Sequence, residues 1–193
     1  IIPMKIGILC AIPKEIKYFD LPPNSAQMLG GRTFYSKKED SHELIVVECG
    51  LGKVNAALVS TLLIQQFDCE LLVFSGVAGG IDPELEIGDV VVGESLIQYD
   101  YGALNDGQLQ VYRAGSIPMG APENSAEFSL DPEIKKIIKA ALPGVRMGTI
   151  LTGDVFLQCG ETRKALFAQF GAQAIEMEGG AVAQVAEQFG IPA

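Results

Sequence analysis

The chain is 193 residues long, 48% hydrophobic and 20% charged, with 14 Lys plus Arg against 24 Asp plus Glu for a formal net charge of −10. At roughly 150 residues per domain, these globular proportions describe one domain with a substantial core. The acidic balance argues against a surface that neutralises phosphates, so neither nucleic acid nor anionic membrane is the expected partner, and a small neutral or zwitterionic ligand remains open.

The opening Ile1-Ile2-Pro3-Met4-Lys5 has no basic segment leading into an apolar stretch and a cleavage site, so the chain reads as cytoplasmic. Met4 to Ala11 is short and nearly all apolar, the pattern of a strand buried on both faces. Pro13 then suits the first turn of a helix through Glu15, Ile16 and Phe19. Pro22 to Ser25 breaks the pattern, and Arg32 to Ser36 and Glu43 to Glu48 read as two strands joined by a polar turn. Gly50-Leu51-Gly52 ends the second. Lys53 to Phe67 reads as a helix with Val54, Ala57, Leu58, Thr61 and Leu62 on one face. Leu71 to Phe74 is another buried strand, running into the small-residue turn Ser75 to Gly80. The apolar stretch from Leu71 to Ile81 is interrupted by Ser75, Gly76, Gly79 and Gly80 and falls short of the ~20 residues a membrane span needs.

Asp89 to Ile97 reads as a strand, and Tyr99 to Ser129 as a long irregular segment, a length more often functional than passive. Asp131-Pro132-Glu133 has an N-cap, a Pro at the first helical position and an acidic first turn. The helix it opens carries Ile134, Ile137, Ile138, Ala141 and Leu142 on one stripe. Val145 to Thr152 is a strand, and Glu161 to Phe170 a helix with Leu166, Phe167 and Phe170 inward. Ala174 to Met177 is a short strand, and Glu178 to Phe189 a helix with Val182, Val185, Ala186 and Phe189 as its buried face. Alternating strands and helices predict an α/β fold, three layers (α/β/α) around a mixed, largely parallel sheet. In such sheets ligands sit at the carboxyl ends of the strands.

Chemistry is therefore sought at those ends. Glu15, just beyond the first strand, is either a base that holds water or an ordinary first-turn acid. The two Gly-rich turns match no phosphate-loop spacing, so they serve either ligand approach or tight packing. Glu176-Met177-Glu178 puts two carboxylates around a Met at a strand end. By strand alternation both face one side, suited to vicinal hydroxyls, unless they are a cap and a surface acid. Phe156 is either core or a ring that stacks on a flat base. Cys10, Cys49, Cys69 and Cys159 include no C-x-x-C pair and read as reduced thiols; neither metal nor cofactor is expected. The single histidine, His42, reads as a turn residue and suggests no Ser-His or Cys-His machine.

Six segments carry a resemblance. They are Met4 to Ile8 with Glu15, Gly50 to Ala57, Ser75 to Gly80, Ile87 to Val91, Thr152 to Phe156 and Glu176 to Glu178. In this order, and over nearly the whole chain, they resemble the nucleoside phosphorylase/nucleosidase superfamily, and more closely the 5′-methylthioadenosine/S-adenosylhomocysteine nucleosidases. The resemblance implies a nucleoside phosphorylase-like fold and hydrolysis of an N-glycosidic bond through an oxocarbenium-like transition state. It implies that Glu15 activates the attacking water, and that Glu178 binds the ribose hydroxyls with Met177 under the sugar and Glu176 in support. Phe156 and Leu157 would frame the adenine, Val77, Ala78 and Gly79 the floor, and Leu51 the sugar or 5′ group. It also implies a homodimer, with a nucleoside as the small-molecule partner. A nucleosidase for another adenosine derivative such as aminodeoxyfutalosine, a purine nucleoside phosphorylase and a non-catalytic nucleoside-binding protein are the alternatives. No Arg lies in Leu71 to Phe74 to hold a phosphate nucleophile, which favours water. Residues 1–193 are read as one domain lacking the family's last strand and helix. The Asp expected there to protonate the leaving base is therefore unassigned. The segment Gln98 to Leu104 also departs from the pattern of the methylthioadenosine enzymes, leaving the 5′ group open.

Overall fold

The computed structural model describes residues 3–193. Ile1 and Ile2, part of the segment read for a targeting signal, lie outside the described residues. In chain order the elements are β1 (Lys5–Cys10), α1 (Pro13–Ile16), β2 (Gln27–Leu29), β3 (Arg32–Glu39), β4 (His42–Glu48), α2 (Lys53–Phe67), β5 (Leu71–Phe74), β6 (Gly79–Gly80) and β7 (Val91–Gln98). There follow β8 (Gly102–Asn105), β9 (Gln108–Val111), β10 (Glu127–Ser129), α3 (Pro132–Ala141), β11 (Arg146–Thr152), α4 (Gly160–Phe170), β12 (Ala174–Glu176) and α5 (Gly179–Phe189). The result is the expected α/β fold with mixed sheets, and the chain divides into two compact units.

The first unit holds residues up to Val77 together with Ala181–Ala193. Its sheet runs β2-β3-β4-β1-β5. β1 lies between β4 and β5, parallel to both, while β2, β3 and β4 are antiparallel neighbours. A central parallel strand is covered on both faces, which is why β1 carries no polar side chain from Ile6 to Cys10 rather than alternating. One core cluster gathers Leu9, Phe34, Leu63, Phe67, Leu72 and Val182. Phe34 and Phe67 stack within it, with centroids 4.6 Å apart.

The second unit is Ala78–Gly180. Its sheet runs β10-β7-β11-β12-β6, parallel through β7, β11 and β12 and antiparallel at both edges. Its core gathers Ile81, Ile97, Leu151, Leu166 and Ile175. Asp131 caps α3 by accepting from the Glu133 and Ile134 N–H groups at 2.9 and 3.1 Å.

Several expectations need correction. α2 buries Ala56, Val59, Ser60, Leu63 and Phe67, whereas Val54 and Leu58 are exposed. The helix is apolar nearly all round, so periodicity could not choose its inner face. α1 is a single turn, with Phe19 beyond it. Phe189, expected to be buried, is exposed, and so are Ile137 and Leu142 on the α3 stripe. His42 opens β4 instead of lying in the turn, and its Nδ1 accepts from the Met4 N–H at 3.2 Å. The segment read as irregular contains the β8–β9 hairpin and β10. Asp106 and Gly107 form the hairpin turn with φ of 48° and 79°. A two-residue Asp-Gly loop with both φ positive is a strong hairpin signal that composition alone obscures.

Candidate active site

In the first unit the parallel strands β4, β1 and β5 deliver three loops from their carboxyl ends. Cys49 N–H donates to Cys10 C=O at 2.8 Å and Ser75 N–H to Leu9 C=O at 2.9 Å, holding the loops' first residues in register. Glu15 occupies the third position of the one-turn α1, and its carboxylate folds back over the turn. Oε2 accepts from the Ala11 and Ile12 N–H groups at 2.7 and 3.1 Å, and Oε1 from the Val77 N–H at 3.0 Å. Three backbone donors from two loops thus converge on one carboxylate, the arrangement of an anion nest. Gly76 makes the fit possible, because a Cβ there would lie 2.8 Å from Glu15 Oε1 and 3.1 Å from its Cδ.

Cys10 is fully buried, and burial first, then the charges of Glu15 and Glu48, push its thiol up to about 12. It is therefore a neutral packing group and no nucleophile. Val77 and Leu51 are exposed. Leu51 C=O accepts from Asn55 Nδ2 at 2.7 Å, and Asn55 Oδ1 accepts from Arg32 at 3.4 Å. Arg32 lies against Gly50, whose φ of 86° and lack of Cβ leave room for the guanidinium.

In the second unit the carboxyl ends of β7, β11 and β12 bring Gln98, Thr152 and Glu176 together. Glu176 accepts from the Thr152 hydroxyl through one oxygen, and from the Glu178 and Gly179 N–H groups at 2.7 and 2.6 Å through the other. Thr152 Oγ1 accepts from the Gly180 N–H at 2.7 Å, and Gln98 Nε2 donates to the Gly180 C=O at 3.1 Å. β12 ends at Glu176, so strand alternation does not reach 178. Glu178 is 3% exposed. Met177 is half-buried, Ala78 and Gly79 are exposed, and Gly79 and Gly80 pair with β12 as β6. Phe156 is 75% exposed, whereas half-buried Leu157 packs on the unit's core. The loop after β11 is held by Asp100, whose Oδ2 accepts from the Asp154 N–H at 2.8 Å, and the Tyr99 ring lies against Gly153.

Sequence reasoning singled out Glu15, Val77, Glu176 and Glu178, and these do occupy two hydrogen-bonded clusters, one in each unit. It missed Thr152, Gln98 and Gly180. Thr152 was recognised within a motif, but a Thr at a strand end gives no sign that its hydroxyl is engaged at both ends. Among the described residues, no group of three or more His, Cys, Asp or Glu side chains could hold a metal ion, and no helix is long and apolar enough to cross a membrane.

A sheet whose parallel strands feed such loops is that of the nucleoside phosphorylase-like α/β proteins. The profile of the Phosphorylase superfamily matches residues 5–193, and the chain belongs to that family. It is 39% identical over 207 residues to the 5′-methylthioadenosine/S-adenosylhomocysteine nucleosidase of Mycobacterium bovis, covering 97% of this chain and 81% of that protein. It is 35% identical to the aminodeoxyfutalosine nucleosidase of Campylobacter jejuni, covering 98% and 82%. The crystal structure of Helicobacter pylori 5′-methylthioadenosine/S-adenosyl homocysteine nucleosidase superposes with a TM-score of 0.81 at 32% identity, covering 98% of this chain and 81% of that one. Its ligand joins a 4-aminopyrrolopyrimidine to a pyrrolidinol with a thioether arm.

Proposed function

We propose that the protein is an N-glycosidic hydrolase that releases adenine from an adenosine-type nucleoside, 5′-methylthioadenosine or S-adenosylhomocysteine. The observation that carries this reading is the Glu15 carboxylate seated on the Ala11, Ile12 and Val77 N–H groups. A carboxylate has about four acceptor sites, and the three bonds leave one to take a proton from water. Water oxygen attacks C1′ of the sugar and its proton passes to Glu15. The C1′–N9 bond breaks with its electron pair going to adenine, and a proton delivered to the base balances the one removed from water. The acid that delivers it is not assigned among the described residues.

The same nest disfavours a phosphate nucleophile. Backbone donors that would cradle a dianion already hold a carboxylate, and a second anion beside Glu15 would be repelled. In the proposed roles, Glu178 holds the ribose hydroxyls, Met177 packs under the sugar and Glu176 supports. Phe156 and Leu157 frame the base, Val77, Ala78 and Gly79 form the floor, and Leu51 contacts the sugar or 5′ group. The exposed Phe156 ring suits stacking, and the thioether and aminopyrrolopyrimidine of the Helicobacter pylori ligand support this substrate class. The likeness to the Campylobacter jejuni protein supports aminodeoxyfutalosine as the second reading.

The proposal extends to residues 1–193 acting as one functional domain in the cytoplasm, as a homodimer. The exposed Val54 and Leu58 of α2 support self-association, since a helix apolar nearly all round requires cover on its second side. Turnover of methylthioadenosine in ¹⁸O-water tests the reaction. Label at C1′ of a free sugar is the expected product, and a sugar 1-phosphate formed only with added phosphate would overturn it.

A further inference from the structure

We infer that Thr152 is a positioning residue for Glu178, acting through Glu176 and the start of α5; the inference rests on Glu178 being the ribose ligand. Thr152 is the last residue of β11 and is fully buried. Its hydroxyl donates to Glu176 and accepts from the Gly180 N–H. Glu176 in turn accepts from the Glu178 and Gly179 N–H groups. Three consecutive N–H groups, 178 to 180, are thus held by two side chains that also hold each other. These donors belong to the turn that starts a helix, where unsatisfied N–H groups otherwise wait for water or an anion.

The two carboxylates of Glu176-Met177-Glu178 therefore do different work. Glu176 anchors backbone, and that anchor sets where the backbone of the buried Glu178, and with it the side chain, stands. A hydroxyl is the side-chain group that fits residue 152, because it must donate to a carboxylate and accept from an amide at once. Gly180 closes the arrangement. A Cβ there would lie 2.9 Å from Thr152 Oγ1, 3.0 Å from Thr152 Cβ and 2.9 Å from Gln98 Cγ, and Gln98 holds the Gly180 C=O. Displacing Thr152 thus shifts residues 178 to 180 as a piece.

Two readouts test this on the full chain. Amide hydrogen exchange at residues 178 to 180, without substrate, is expected to accelerate at least about tenfold in Thr152→Val and to stay within about threefold of wild type in Thr152→Ser. With methylthioadenosine, Thr152→Val is expected to raise KM about tenfold with kcat changed less than about threefold, and Thr152→Ser to restore both. The KM effect should vanish when Glu178 is already alanine, because the two residues act on one contact. Unchanged exchange in Thr152→Val overturns the anchor. A normal KM, or an equal KM rise in the Glu178→Ala background, overturns the positioning role. Should Thr152→Val not fold, Gly180→Ala presses on the same hydroxyl and carries the same expectations. Failure of the functional reading is seen separately, as absence of adenine release by the wild type, and the exchange experiment then still decides the anchor.

Discussion

Glu15 and Glu176 each turn a carboxylate back onto backbone N–H groups, and at both positions the seat depends on small neighbours. Gly76→Ala places a methyl against Glu15 Oε1, while the backbone at 76 is not in the left-handed region. The carboxylate is the far end of a flexible side chain and can swing away at little cost to folding. The expected outcome is a kcat at least about tenfold lower with stability changed by less than ~1 kcal/mol, measured by turnover and urea denaturation of one preparation. A large loss of stability with normal kcat would contradict the seat. The cysteines give a second prediction at this scale. Burial pushes the Cys69 thiol up to about 12, as it does Cys10, and Cys49 is fully buried. Cys159 is exposed, and hydrogen bonding, first from the Thr162 side chain and then from the Thr162 and Glu161 backbone, lowers its pKa. A lowered pKa keeps the thiolate populated to lower pH than in an ordinary thiol. Iodoacetamide on the native protein should therefore add one label, at Cys159, with a pH midpoint below that of a free cysteine peptide. Native labelling at Cys10 or Cys69 would contradict the burial.

At the scale of elements, the signals that sequence carries best are those with local causes. Asp131-Pro132-Glu133 announces α3, and Asp131 caps it as expected, so Asp131→Ala should cost about 1 kcal/mol in urea denaturation and Asp131→Ser little. An alanine as stable as wild type would show that the cap contributes nothing. β1, α2, β5 and β11 were legible for similar reasons: apolar runs of strand length, or helix length, between Gly and Pro breaks. What was not legible depends on partners remote in sequence. Which side of α2 faces the core is fixed by the sheet beneath it, and a helix with Val54 and Leu58 outside and Val59 and Leu63 inside offers no contrast to read. The clusters divide the same way. Glu15 and Glu176-Met177-Glu178 stood out as acids at strand ends, but Thr152 and Gln98 meet Gly180 across 28 and 82 residues of chain, a pairing that only the sheet order creates.

The whole molecule joins an α/β fold to membership of the Phosphorylase superfamily. The apolar outer side of α2 carries its own prediction. Leu58→Glu should convert a dimer, observed by light scattering, into a monomer that keeps its secondary structure. A wild-type protein that is monomeric at micromolar concentration would end the dimer proposal. The most direct test of the central claim is adenine release from methylthioadenosine in phosphate-free buffer, followed for the wild type and for Glu15→Gln. The expected result is release by the wild type at a rate that added phosphate does not raise, with a loss of at least about 100-fold in kcat for Glu15→Gln, whose amide cannot take the proton from water. Release that requires phosphate, or a Glu15→Gln variant with near-normal turnover, would contradict it.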